Sequence, residues 1–281
     1  MVTVTKVKKH KAKAALPLRL SPSGIGVFQQ CRQQYKFVYI DKLGDRYRKA
    51  KPFFTMANHV HATLKDFFTI TPVESRTVET ITRLLQKNWR RYQVGFRNAD
   101  IEKRWQEKAL LQLSTFVQNT DVTIEPLTTE WSFETTITPG VILNGRIDRI
   151  DRQPDGTLHI IDYKTGNTPQ EMNWTQVRLN ALSASRNLHL PVSKISYLYL
   201  ATCTVASSKI SSKDIDCTNW ELLQIAHAIN KEKNYIPMVG KWCSGCDFRS
   251  ICPGSPEPTA SPQEGQLELW EDAVFNKKHA L

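Results

Sequence analysis

Two aspartates and a lysine stand within NGRIDRIDRQPDGTLHIIDYKTG, residues 144–166. Alternating apolar runs over Val141–Ile150 and Thr157–Tyr163 flank Gln153-Pro154-Asp155-Gly156. A Pro and a Gly around an Asp form a strong turn signal, so the segment predicts a β-hairpin. On the second strand Leu158, Ile160, Asp162 and Lys164 share a face, because strand side chains alternate with a period of two. The Asp162 carboxylate and the Lys164 ammonium then leave an apolar surface together, roughly 7 Å apart along the strand. Asp148 falls close to opposite Asp162 when the turn centres on Pro154-Asp155. Carboxylates are hard oxygen ligands for Mg²⁺ or Mn²⁺. Such an ion lowers the pKa of a bound water and stabilises charge on a phosphate oxygen, while a lysine orients the attacking water. An isolated Asp-x-Lys is equally a surface salt bridge on a solvated hairpin. The surrounding elements must decide.

The second chemical grouping is sulfur. Cys243, Cys246 and Cys252 form C-x2-C-x5-C, Cys31 lies far upstream, and Cys203 and Cys217 stand alone. In a cytosolic protein this spacing indicates metal ligation rather than disulfides. Four thiolates suit Zn²⁺ or an iron–sulfur cluster, and spacing alone leans to zinc.

The chain of 281 residues, 40% hydrophobic, is long enough for one substantial core with appended segments. No apolar run approaches the roughly 18 residues of a membrane span, and no apolar stretch follows the basic N-terminus as in a signal peptide. The expected location is the cytoplasm. The net charge is 38 − 27 = +11, which favours a polyanionic partner but is shared by ribosomal and membrane-surface proteins. No Gly-x-x-x-x-Gly-Lys-Ser/Thr loop occurs, so no ATPase motor is expected in this chain.

Three regions follow: a lysine-rich flexible arm over 1–19, a folded region over 20–254, and a Pro- and Ser-rich disordered linker with a short tail over 255–281. Ser21 before Ile25, Phe28, Cys31 and Tyr35 predicts an N-capped helix. Helices are also expected over Pro52–Phe68, Arg76–Tyr92, Asp100–Gln118 and Asn173–Leu188, and over Thr218–Lys231 with a Thr218/Glu221 capping box. Strands are expected over Glu130–Ile137 and Ile195–Cys203. Lys87, Arg90, Arg91, Arg97, Lys103, Arg104 and Lys108 with Trp89 and Trp105 either line a single-strand path or put tryptophan in the core and charge on a solvated face.

Gly-Arg-Ile-Asp148 before the turn and Asp162-Tyr-Lys164-Thr-Gly after it together resemble the core motif of PD-(D/E)XK nucleases of the RecB type. SPSGIGVFQQCRQQYKFVYI resembles the opening of the same family, with Cys31 at the first cluster cysteine. The resemblance covers about Leu20 to Gly254. It implies an α/β fold, a mixed sheet flanked by helices, and hydrolysis of DNA, single-stranded or from its ends, in repair or recombination. It also implies a metal held by His61, Asp148, Asp162 and the Tyr163 carbonyl, with Lys164 positioning the water. Glu130 is the implied acid before the hairpin, Glu134 its rival, and His59 a decoy on the other side of its helix. Asn58 replaces the family's usual Gly before the histidine. Gln176 matches the family's Gln-x-x-x-Tyr motif, but Asn180 stands where the tyrosine would be. For Cys31, Cys243, Cys246 and Cys252 the resemblance implies a four-iron–four-sulfur cluster, reversing the lean to zinc.

Other readings share these motifs: a nuclease that trims DNA for CRISPR adaptation, a binding module without chemistry, and a basic adaptor built on zinc. In the tail, Gln266-Leu267-Glu268-Leu269-Trp270 resembles the peptide by which bacterial repair and replication proteins dock on the sliding clamp. A terminal helix packing back on the domain is the plain alternative.

Overall fold

The computed structural model describes residues 17–90 and 94–255. The described chain runs through strand β1 (Leu18–Leu20), helices α1 (Pro22–Gln30) and α2 (Arg32–Tyr35), and a π-helical turn over Lys36–Ile40. Helices α3 (Gly44–Tyr47), α4 (Pro52–Thr69), α5 (Val78–Trp89) and α6 (Ala99–Asn119) follow. Strands β2 (Thr128–Thr138), β3 (Val141–Arg152) and β4 (Leu158–Lys164) then lead to α7 (Thr175–Leu188). Strands β5 (Val192–Tyr199) and β6 (Thr204–Lys209) and helix α8 (Ser212–Lys231) precede the cysteine loops, which make only short 3₁₀ turns.

Strand β3 organises the sheet. It pairs antiparallel with β2 from Thr128↔Ile150 to Thr138↔Val141. Its other edge is shared. Parallel β1 takes Val141 to Leu143, and antiparallel β4 takes Arg149 to Arg152, starting at Arg149↔Ile161. Residues 144–148 therefore have no strand on that edge among the described residues, and the sheet opens beside Asp148. Strand β5 lies parallel to β4 and β6 antiparallel to β5, completing a mixed six-stranded sheet.

Both faces of the sheet are covered, which is why β4 and β5 read as near-continuous apolar runs. On one face Leu143, Ile147, Ile160 and Ile195 meet Phe28 of α1, Val177 and Leu182 of α7, and Leu222 of α8. On the other, Ile161, Tyr163 and Leu198 meet Met56, Val60, Leu64 and Phe67 of α4, with α5 and α6 behind them. No described helix is long and apolar enough to cross a membrane.

The helix starts follow local chemistry. Ser21 Oγ accepts from Gly24 N at 3.1 Å with Pro22 in the first turn. Asn98 Oδ1 likewise accepts from Ile101 N at 2.9 Å.

Several expectations need correction. The capping box of α8 is Ser211 with Asp214, about two turns before the expected Thr218/Glu221. Thr218 lies inside the helix, its hydroxyl donating to the Asp214 carbonyl at 2.8 Å. The strand expected to reach Cys203 stops at Tyr199, and Cys203 turns the chain at φ 50°. Leu18 and Arg19, assigned to the flexible arm, pair with Val141 and Ile142. The rest of that arm lies outside the described residues, as do Arg91, Tyr92, and the linker and tail motif from Pro256 onward.

Candidate active site

The open edge of β3 is where the predicted residues gather. The backbone N–H of Tyr163 donates to Asp148 Oδ2 at 2.7 Å, so this side chain takes the ladder position that the parting strands leave unfilled. Helix α4 brings His61 to the same place. Its Nδ1 lies 3.3 Å from Asp148 Oδ1 and 3.3 Å from Glu130 Oε1. His61, Glu130 and Asp148 each offer a ligand atom, all within 4.8 Å of one another. Asp162 is outside that trio.

Asp162 belongs to a second group across the Tyr163 backbone. Gln176, on α7, donates from Nε2 to Asp162 Oδ1 at 2.7 Å and accepts from Lys164 Nζ at 2.9 Å. Lys164 Nζ lies 2.6 Å from Asp162 Oδ2 as an ion pair. Gln176 thus locks the aspartate and the lysine in one geometry. Asn180, one turn further along α7, is buried with neither amide atom hydrogen-bonded. Gln176 does the bracing without it.

Charge explains the proton affinities. Burial lowers the pKa of His61, but the charges and hydrogen bonds of Asp148 and Glu130 outweigh it and push the imidazole up to about 10. Burial works against ionised Asp148 too, yet His61 and the Tyr163 N–H hold its pKa below the usual carboxylate range. For Asp162, burial dominates over the opposing Lys164, and with the charge of Asp148 lifts it to about 6. Three carboxylates at one buried opening attract cations strongly, and a divalent ion there competes with the His61 proton.

The neighbouring candidates separate cleanly. Glu134 pairs with Arg19 on the surface, leaving Glu130 as the acid of the site. His59 is 1% exposed and stacks on Trp89 with centroids 4.7 Å apart. Trp89 is itself core, its Nε1 donating to Glu102 at 3.0 Å, so it lines no strand path. The sequence repeats Arg-Ile-Asp at 146–148 and 149–151. The second copy is spent internally, because Arg149 grips Asp151 through Nε at 2.7 Å and Nη2 at 2.8 Å beneath Phe68. Sequence reasoning missed Arg146, whose Nε lies 2.7 Å from Glu130 Oε2. Its place two residues before Asp148 on an alternating strand was the available signal.

The four cysteines converge from distant positions. Cys31 at the end of α1 and Cys243, Cys246 and Cys252 line one pocket with Phe37, Val239 and Trp242. The Gly240 N–H donates to Cys243 Sγ at 3.4 Å. Burial raises the Cys246 thiol, with Cys31 and Cys252 nearby adding to it. Among the described residues no three cysteine sulfurs lie within 4.8 Å of one another. Sulfurs bound at 2.3 Å to one tetrahedral zinc stand about 3.8 Å apart. Lys51, at the start of α4, reaches this loop, its ammonium 3.1 Å from the Gly245 carbonyl and 3.1 Å from Asp247 Oδ1.

The site thus sits where a mixed sheet parts at Asp148, with Asp162-x-Lys164 on the next strand. A profile of the PD-(D/E)XK nuclease superfamily matches residues 19–253, and the chain belongs to that superfamily. Among solved structures it is similar to SSO0001, at 14% identity and a TM-score of 0.42 over 88% of this chain and 90% of that one. It is also similar to a Eubacterium rectale protein provisionally named an exonuclease, at 14% identity and a TM-score of 0.45 over 88% and 91%. No curated protein matches.

Proposed function

We propose that this protein is a Mg²⁺- or Mn²⁺-dependent deoxyribonuclease of the RecB type that hydrolyses phosphodiester bonds of single strands or DNA ends. The observation that carries the reading is the Lys164 ammonium, held by Asp162 and Gln176 beside the His61, Glu130 and Asp148 donors. One imidazole nitrogen and two carboxylates, with the Asp162 carboxylate on the neighbouring strand, suit a hard divalent cation. His61, Glu130, Asp148 and Asp162 would hold it. When bound, such an ion supplies Lewis-acid stabilisation of the charge on the phosphate.

The chain's own groups do the rest. Lys164 orients the attacking water by hydrogen bonding and offsets negative charge on the phosphate. Gln176 spends both its amide atoms on fixing Asp162 and Lys164, so the pair needs no rearrangement as the reaction proceeds. Water adds to phosphorus, the P–O bond to the leaving strand breaks, and the proton lost by the water balances the one gained by the leaving oxygen.

The test is cleavage of end-labelled single-stranded and duplex DNA with Mg²⁺ or Mn²⁺. Lys164→Ala, Asp148→Asn and Asp162→Asn should each slow cleavage roughly 10²–10⁴-fold. DNA affinity in EDTA should stay within about threefold, since it comes from phosphate contacts spread over the surface. Wild-type rates in all three variants overturn the assignment.

We also infer that Cys31, Cys243, Cys246 and Cys252 hold a four-iron–four-sulfur cluster. Support comes from four thiols on one largely apolar pocket and an N–H aimed at sulfur. The cluster's part here is structural, tying the first helix to the end of the domain.

A further inference from the structure

A second polar group lies on β4, β5 and β6, away from the opening. The register sets His159, Lys194 and Lys209 side by side across the three strands. Ser196 and Ser207 are paired two residues further along, on the same face. On β6 the residues Val205, Ser207 and Lys209 are exposed, whereas Ala206 packs on the core beneath. This face of β6 is therefore open to solvent.

The side chains are joined. His159 Nε2 lies 2.6 Å from Ser196 Oγ, and Ser196 Oγ lies 2.8 Å from Ser207 Oγ. Ser196 is fully buried and Ser207 exposed, so the chain of bonds leads from the interior to the surface. Burial, with the charges of Lys194 and Arg149, lowers the His159 imidazole to about 4, so the ring is neutral near pH 7. With its proton on Nε2, each hydroxyl donates to the next and Ser207 keeps an O–H for a ligand.

Charge gives the ligand its class. Lys194 and Lys209 are directly opposite on paired strands, an arrangement that costs stability for like charges. Among the described residues neither forms an ion pair. The carboxylates of the adjoining strand and turn are engaged elsewhere. Arg149 grips both oxygens of Asp151, and Asp155 accepts from the Thr157 N–H and hydroxyl at 2.9 and 2.7 Å. Two ammonium groups and a hydroxyl, about one strand spacing apart, match the two charges and several acceptor oxygens of a phosphate monoester. A phosphodiester brings only one charge.

We propose that Lys194, Lys209 and Ser207 form a binding site for a small phosphate dianion, either inorganic phosphate or a nucleoside 5′-monophosphate. The site shares no residue with the candidate active site, and His159 and Lys164 are five residues of strand apart, roughly 17 Å. It stands or falls independently of the nuclease reading.

The experiment titrates the full chain in EDTA at constant ionic strength. The probes are inorganic phosphate, deoxyadenosine 5′-monophosphate, and dimethyl phosphate as the singly charged diester. Histidine-ring NMR, assigned with His159→Gln, reads the site, and calorimetry reads affinity. Phosphate and the mononucleotide should shift the His159 ring and raise the melting temperature, whereas dimethyl phosphate should do neither. Tighter binding of the mononucleotide identifies a nucleotide site, and equal binding identifies recognition of the phosphate alone. Lys194→Gln and Lys209→Gln should each weaken phosphate binding about tenfold. The double variant should lose it, yet melt at or above wild type in phosphate-free buffer, because the like-charge pair is gone. A His159 ring indifferent to millimolar phosphate overturns the proposal. Undiminished affinity in the double variant, or an equal response to dimethyl phosphate, does so too.

Discussion

Glu130 has φ +49°, in the left-handed region where a side chain with a Cβ is strained. Such a conformation costs about 1–3 kcal/mol and persists where the surroundings over-determine it. Here the register puts Glu130 opposite Asp148, between Thr129↔Arg149 and Trp131↔Ile147. Arg146 and His61 hold its carboxylate at the opening. The backbone bends to deliver an acid to the site. Glu130→Asn accepts the left-handed backbone more readily and removes the long carboxylate. Calorimetry should then show Mn²⁺ affinity falling roughly 10–100-fold, while the urea midpoint in EDTA holds or rises above that of Glu130→Ala. Unchanged Mn²⁺ affinity would remove Glu130 from the ligand set.

At the scale of elements, β3 works because it is allowed to lose a neighbour. Gly145 lies in the unpaired stretch opposite Phe133, and a Cβ there would stand 2.8 Å from the Phe133 ring and 3.5 Å from Pro22. The glycine in Gly-Arg-Ile-Asp therefore lets an aromatic ring and the start of α1 close over β3 just before Asp148. Gly145→Val forces the buried Phe133 ring aside, at about 1–3 kcal/mol. The guanidinium midpoint should drop accordingly, and cleavage should fall more than stability does, because Asp148 is three residues away. A variant as stable and as active as wild type would show that the ring relocates freely. Helix α4 is the other positioning element. Its inner side is locked by Met56, Val60, Leu64 and Phe67, which leaves His61 no freedom to turn away from β3.

At the scale of the molecule, Cys31 and Cys252 are 252 − 31 = 221 residues apart. A group binding both restrains nearly the whole domain, and restraining so long a loop removes much entropy from the unfolded chain. Anaerobically purified protein should carry about four irons per chain. Cys252→Ser should lower the melting temperature by roughly 10 °C. Stoichiometric zinc without iron would refute the cluster and leave the nuclease intact. The Lys51 contact to the same loop joins this clasp to the helix that carries His61. The tail motif stands outside the described residues, and we keep clamp docking as a proposal. A peptide covering Pro262–Phe275 should bind the host's sliding clamp through two apolar anchors and one glutamine. Gln266→Ala and Leu269→Ala should each abolish that binding, and indifference to both would dismiss it.

The sequence by itself determined the hairpin, the helices that flank it, and His61, Asp148, Asp162, Lys164 and Gln176 as residues of interest. The elements came from local signals, alternation and turn residues, whereas His61 and Gln176 came from the family resemblance. It also marked Cys243, Cys246 and Cys252 as a set by their short spacing, and the family resemblance added Cys31. Only the tertiary structure decided how these residues divide. It joined His61, Glu130 and Asp148 in one group and tied Asp162 to Lys164 and Gln176 in another. It assigned the second Arg-Ile-Asp to an internal ion pair and sank Trp89 into the core. It also set Glu130 at a positive φ, which no propensity would choose. The reason is common to all of these. Which partner satisfies a buried charge depends on strands and helices far apart in the chain, and that information exists only once the sheet has opened at Asp148 and α4 has packed against it.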